Sequence, residues 1–270
     1  MIRSAVLGFA ALGWLTLAAC SPTPLDAVGV APTTLTNDMV LHWTFDEGSG
    51  DVVYDHSGNR YGGNLGERDG GTWNWITDGR FGGALHVASG GYVSTDPFPP
   101  ATQDWSVSAW VRLTDSDPTT EQYKTVVSTE IGGKGGWEMN IDRSEPAAPQ
   151  AEFGYWKGPA PGDYFSVGYP MQFAQWTHIV GVMDYSAVVD SNSRTLTLYV
   201  NGDLGDLLQS INPIVAGDST LFLGTWSGAW SGQGNRYLDA DVDDVVIYSR
   251  ALAASEVFEL FQSSPPDLTF

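Results

Sequence analysis

Apolar and polar residues alternate along much of this chain with the period of two expected of strands that bury one face. Leu41, Trp43 and Phe45 alternate with His42 and Thr44, and Val107, Ala109, Val111 and Leu113 alternate with Ser106, Ser108, Trp110 and Arg112. Residues 124–130, 136–142 and 239–250 also read as strands, and the apolar run 176–185 reads as a buried one. Residues 195–204 place Leu196, Leu198 and Val200 on one face and end near Asn201-Gly202. Asn-Gly after such a run predicts a hairpin, because a type I′ turn needs two positive φ angles. Only residues 251–261 read as helix, with Leu252, Val257, Leu260 and Phe261 turned inward. Many short strands and one late helix predict an all-β fold, a two-sheet antiparallel sandwich with one short C-terminal helix.

Two acidic, glycine-rich segments interrupt the pattern directly after the first strand: Asp46-Glu47-Gly48-Ser49-Gly50 and Asp55-His56-Ser57-Gly58-Asn59. They agree with the composition of the whole chain. Its 270 residues include 32 Gly, 15 Pro and 32 acidic residues, 23 of them Asp, for a net charge of −20. Asp in place of Glu points to turns, caps and oxygen ligands for hard cations rather than acidic helices. Such a charge repels a phosphate backbone, so nucleic acid is not an expected partner. Neutral sugars, cations and basic protein patches are compatible with it.

The N-terminus reads as an address. Arg3 precedes an apolar stretch, Ala5 to Ala18, which is short for a bilayer span. The stretch ends in Leu17-Ala18-Ala19-Cys20, which resembles the lipobox of bacterial lipoproteins. That resemblance implies lipidation at Cys20, the sole cysteine, and a place in the cell envelope, on the outer membrane or cell surface of a bacterium. An ordinary signal peptide with a chance cysteine is the alternative. The expected organisation is a signal peptide over 1–19, a flexible tether over 20–37, one domain over 38–262 and a tail over 263–270. The membrane would be met only through the lipid anchor, and the domain is expected to be a monomer.

Six segments in order resemble the laminin-G-like jelly rolls of the concanavalin A-like lectin/glucanase fold: HWTFDEGSGDVVYDHSGN, GRFGGALHVASGGYVST, WSVSAWVRL, WTHIVGVMDYS, LTLYVNG and DVDDVVIYSRALAASEV. Residues 66–78, 143–170 and 226–236 depart from the pattern and read as insertions. The resemblance implies a structural Ca²⁺ where the first strand, the turn after it and the last strand meet. Carried over, its ligands fall at Asp46, Gly63 and Asp243. Glycine-rich turns that aim carbonyls inward suit a hard cation, although the same segments also suit plain Asp/Gly turns.

Catalytic patterns are sparse. Glu138, Asn140 and Asp142 share one strand face, as a catalytic carboxylate row would. Strand rise alone separates Glu138 from Asp142 by roughly 13 Å, beyond the ~5–9.5 Å of glycosidase carboxylate pairs. Asp239, Asp241 and Asp243 also share a face. The four histidines show no metal spacing, and the glycines of 132–136 read as a hairpin rather than a phosphate loop. Trp43, Trp105, Trp110 and Trp176 read as core. Trp73, Trp75, Trp156, Trp226 and Trp230 lie in the glycine-rich departures, where rings can stack on sugar faces or staple the rim. The expected function is therefore non-catalytic recognition of a glycan, with Trp156, Trp226 and Trp230 binding the ligand. An envelope or surface protein is the alternative partner, and a glycoside hydrolase or polysaccharide lyase comes third.

Overall fold

The computed structural model describes residues 35–114, 122–129, 135–145, 148–160, 162–186, 194–209, 211–217, 219–226 and 236–265. Cys20 and Trp230 lie outside the described residues. In chain order the described strands are β1 (Met39–Trp43), β2 (Val52–Val53), β3 (Gly63–Glu67), β4 (Thr72–Ile76), β5 (Ala84–Ala88), β6 (Gly91–Thr95), β7 (Trp105–Leu113) and β8 (Tyr123–Ser128). They continue as β9 (Trp137–Asp142), β10 (Gln150–Trp156), β11 (Tyr164–Pro170), β12 (Thr177–Asp184), β13 (Thr195–Val200), β14 (Asp203–Gln209), β15 (Leu221–Leu223) and β16 (Ala240–Tyr248). The helix α1 (Ala254–Gln262) starts three residues later than its pattern suggested, and Leu252 is buried ahead of it.

Two antiparallel sheets form a sandwich. Sheet A runs β14-β13-β12-β7-β16-β5-β4 with β1 also on β16, and sheet B runs β11-β10-β9-β8-β15-β6-β3-β2. Between them lies one core, to which sheet A contributes Trp43, Leu85, Val107 and Val111, and sheet B contributes Val93, Val127, Trp137, Met139 and Phe153. The hairpin between β13 and β14 turns at Asn201 (φ 54°) and Gly202 (φ 83°), the two positive angles that the Asn-Gly pair is chosen for.

The outer faces of the two sheets differ. On sheet A, α1 packs Val257 and Leu260 onto Val180, Val182, Val246 and Tyr248, with Leu35 and Met39 beside them. This cover explains why β1 is buried on both sides, where its alternation suggested one exposed face. His42 is fully buried there and pairs with Asp244 at 2.8 Å. Trp110 and His178 stack with ring centroids 4.9 Å apart under Phe261, and burial pushes the His178 pKa down to about 3, so it is a neutral packing residue.

Two of the three apparent insertions contain regular strands: Trp73 and Trp75 stand on β4, and residues 143–170 supply β10 and β11. On β10 Ala151, Phe153 and Tyr155 face the core while Glu152, Gly154 and Trp156 face outward. The outer face of sheet B therefore carries a polar row in place of a helix.

Candidate functional site

The register of sheet B assembles this row from four strands. Thr125 on β8 stands opposite Asn140 on β9, which stands opposite Glu152 on β10, which in turn faces Gly168 on β11. The next row holds Ser128, Glu138, Gly154 and Ser166. Because side chains alternate across a strand, both rows project from the outer face. They are polar and yet covered: Glu138 is 1 % exposed, Asn140 0 % and Glu152 8 %.

Covered polar groups need partners. Glu138 finds one in Arg236, whose Nη1 donates to Oε2 at 2.7 Å with both side chains almost fully buried. The Arg236 guanidinium also lies over the Trp226 ring (4.9 Å) and the Tyr123 ring (5.4 Å). Its main-chain carbonyl accepts from the Thr125 N–H, which straps residue 236 to β8. Glu152 accepts from the Tyr164 hydroxyl at 2.7 Å. Gly154 makes that reach possible, since a Cβ there would stand 2.3 Å from the Tyr164 hydroxyl. Among the described residues neither Asn140 Oδ1 nor Nδ2 has a hydrogen-bond partner, and the Thr125 Oγ1 opposite has none either.

The electrostatics follow from burial. Desolvation raises the Glu152 pKa to about 7, and the nearby Glu138 and Asp142 charges add to the shift against the Tyr164 and Ser166 hydrogen bonds. Burial likewise pushes the Tyr164 hydroxyl well above its ordinary range, with Glu138 and Glu152 adding to it. A carboxyl whose pKa is raised in the folded chain stabilises the fold fully below the unfolded value near 4.5, and that contribution is lost as pH rises through about 7. The difference corresponds to about 3 kcal/mol. Glu152→Gln should therefore flatten the fall of stability between pH 4.5 and 7, as read from denaturant melts of the wild type and the variant across that window.

Trp156 and Trp226 border the same face but present no free ring. Trp156 is 8 % exposed and tilts against Tyr164 at 5.0 Å. Trp226 is 2 % exposed, beneath Arg236, with its carbonyl accepting from Arg68 Nη1 at 3.1 Å. Both act as walls of the polar row rather than as an open platform. The residues that make the row were only half visible in the sequence: Glu138, Asn140 and Asp142 stood out as a face, whereas Glu152, Tyr164 and Arg236 did not.

The two acidic knots separate on inspection. Asp55 is a hydrogen-bond hub, with Oδ1 accepting from the N–H groups of His42 and Ser57, and Oδ2 from Ser57 Oγ and the Tyr61 N–H. The first knot meets the last strand at a bulge. Between Asp243 and Val246 the register of β16 shifts, Asp244 takes φ 50°, and the strand changes neighbour from β5 to β1. Asp243 Oδ2 accepts there from the N–H groups of Arg80 (2.7 Å) and Phe81 (2.9 Å), and Asp46 Oδ1 accepts from Gly83 N–H at 2.6 Å. The two carboxylates thus converge on the 80–83 turn.

Asp243 Oδ1 beside that turn and Glu47 Oε2 in that knot are each buried without a hydrogen-bond partner among the described residues. Burial, with Asp244 and Asp46 nearby, pushes the Asp243 pKa up to about 7. Gly63 is in register with Val53 on sheet B, where a Cβ would meet Val93 and the Trp43 ring. Among the described residues no three His, Cys, Asp or Glu side chains are grouped as a metal would need. A cation here would draw its remaining oxygens from main-chain carbonyls. With the orphaned Asp243 Oδ1, the Asp46 carboxylate on the same 80–83 turn and a glycine-rich knot, the residues fit a hard cation.

The fold is shared with known proteins. It is similar to the receptor-binding domain of botulinum neurotoxin type G (TM-score 0.58, 15 % identity, 83 % of this chain and 51 % of that one). The binding domain of botulinum neurotoxin serotype D is similar too (TM-score 0.60, 14 % identity, 84 % and 52 %). This chain spans about half the length of those domains. It spans 98 % of domain 4 of AbnA, a GH43 extracellular arabinanase from Geobacillus stearothermophilus solved in complex with arabinotriose (TM-score 0.59, 20 % identity, 83 % of this chain). No curated protein matches by sequence. Residues 87–258 match a laminin G family described as the concanavalin A-like lectin/glucanases superfamily. The chain belongs to that superfamily.

Proposed function

We propose that this domain is a non-catalytic glycan-recognition module whose ligand sits over Thr125, Asn140 and Glu152 on the outer face of sheet B. The observation that carries this reading is Asn140, a fully buried carboxamide with no partner for its donor or its acceptor. An unpartnered buried amide costs roughly 1–3 kcal/mol, and a ligand hydroxyl would relieve that cost. The arabinanase domain of the same fold, solved with arabinotriose, supports a sugar as the ligand. Catalysis is disfavoured because Glu138 is committed to Arg236 at 2.7 Å.

A glycan array probed with the purified full chain tests this. Wild type should bind at least one glycan, and Asn140→Ala should lose at least tenfold in affinity, about 1.4 kcal/mol. Its melting midpoint should hold or rise, because no protein partner is left unpaired. A variant that keeps its affinity would overturn the assignment.

The two carboxylates Asp46 and Asp243, with main-chain carbonyls, are proposed to hold a structural Ca²⁺ that ties the end of β1 to the bulge of β16. The domain is further proposed to hang from an envelope membrane by a lipid on Cys20. Cys20→Ser should then move the protein out of the membrane fraction or block its processing. Unchanged, detergent-dependent fractionation of that variant would remove the anchor from the proposal.

A further inference from the structure

We infer that the ligand of this face is an uncharged glycan, held through neighbouring hydroxyl groups by the Asn140 carboxamide and the Glu152 carboxyl, and that acidic glycans are excluded. This rests on the glycan-recognition reading above and narrows it to a ligand class.

The argument begins with charge. Glu138, Glu152 and Asp142 lie on one face, and the Glu138 and Asp142 charges both act on Glu152. Arg236 is already bound to Glu138 at 2.7 Å. Arg68, farther along the sheet, is held over the Tyr92 and Phe222 rings and donates to the Trp226 carbonyl. Both guanidiniums are thus already engaged, one by a carboxylate and one by a carbonyl. A ligand carboxylate or sulfate over Asn140 and Glu152 would therefore be desolvated beside the like charges of Glu138, Glu152 and Asp142. The chain's net charge of −20 opposes its approach from a distance as well.

A sugar hydroxyl fits the same groups. It both donates and accepts, and the Asn140 carboxamide offers one unpartnered acceptor and one unpartnered donor side by side. Glu152, its cross-strand neighbour, retains acceptor capacity after its bonds from Tyr164 and Ser166. The Tyr164 ring, partly exposed and backed by Trp156, supplies an apolar wall for the C–H face of a pyranose or furanose. Gly168 opposite Glu152 carries no side chain of its own, and Gln150 Oε1 lies 3.2 Å from where its Cβ would stand. Asn140 itself is fully covered, so it is reached when a flanking ring turns away. Tyr123, two positions from Thr125 on β8, and Tyr164, hydrogen-bonded to Glu152, are the partly exposed rings on this face.

The test titrates the full chain by calorimetry at pH 7 with two sets of trisaccharides. One set is neutral (arabinotriose, xylotriose, mannotriose) and the other acidic (trigalacturonate and a sulfated trisaccharide). At least one neutral probe should bind, and each acidic one should bind at least tenfold more weakly. Asp142→Asn should raise the affinity for acidic probes several-fold. Acidic probes binding as tightly as neutral ones would overturn the ligand class while leaving glycan recognition standing. Equal neutral binding by Asn140→Ala would overturn the role of the carboxamide. Failure of all probes, together with a blank glycan array, would bring down the recognition reading and this inference with it.

Discussion

Arg236→Ala is expected to destabilise the domain by about 3–5 kcal/mol, the usual cost of leaving a buried charge without its partner. Glu138 is 1 % exposed, so without its partner the carboxylate must either stay charged in a poor dielectric or take up a proton. The variant also loses the guanidinium over Trp226 and Tyr123. At about 2–4 °C per kcal/mol for a domain of this size, the melting midpoint should fall by roughly ten degrees or more. Removing both charges together, as in Glu138→Leu with Arg236→Met, should restore most of the loss, because a buried pair contributes little against apolar residues of similar volume. If the single variant melted with the wild type, the pair would not hold residue 236 onto β8.

Stripping calcium is expected to have an effect of similar size. A cation that binds only the folded chain stabilises by about 4 kcal/mol at a thousandfold excess over Kd, or near ten degrees in melting midpoint. Asp243 sits where β16 passes from β5 to β1, so the ion would lock the point at which two strand pairings and the 80–83 turn meet. It would also hold the Asp243 carboxyl ionised against the burial that raises its pKa. Asp243→Ala should melt like the chelated wild type and ignore further chelator. Magnesium should substitute poorly, since it prefers a tighter octahedron and keeps its waters. Superimposable melting curves for stripped protein with and without calcium would reduce Asp46-Glu47-Gly48-Ser49-Gly50 to a turn.

Much of the sandwich was legible because strand periodicity is a local property. The alternation in β7 and β13 and the Asn201-Gly202 turn appear in the structure as read. What escaped was cross-strand. Glu152 reads as one acidic residue in a polar stretch until the register puts it beside Asn140 and under Tyr164. A distance along β9 alone separates Glu138 from Asp142, yet the partners that matter to Glu138 are Arg236, ninety-eight residues away in sequence, and Gly154 across the ladder. Tryptophans were similarly ambiguous: Trp156 and Trp226 do border the polar row, but packing against Tyr164 and Arg236 takes their faces. The double burial of β1 was hidden because its cover comes from α1 and the turn at Leu35, elements distant in sequence.

The most direct measurement is a crystal structure of the full chain with the tightest neutral glycan from the array. The sugar is expected over β9 and β10, with hydroxyl oxygens within hydrogen-bond distance of the Asn140 carboxamide and the Glu152 carboxyl. Tyr123 or Tyr164 should be turned relative to its present position. Clefts elsewhere among the described residues offer the alternative, such as one of about 280 Å³ lined by Tyr169, Trp176 and Leu204, and one of about 540 Å³ lined by Asn59, Tyr61 and Trp105. A glycan seated in either of these, with the polar row of sheet B unchanged, would contradict the assignment.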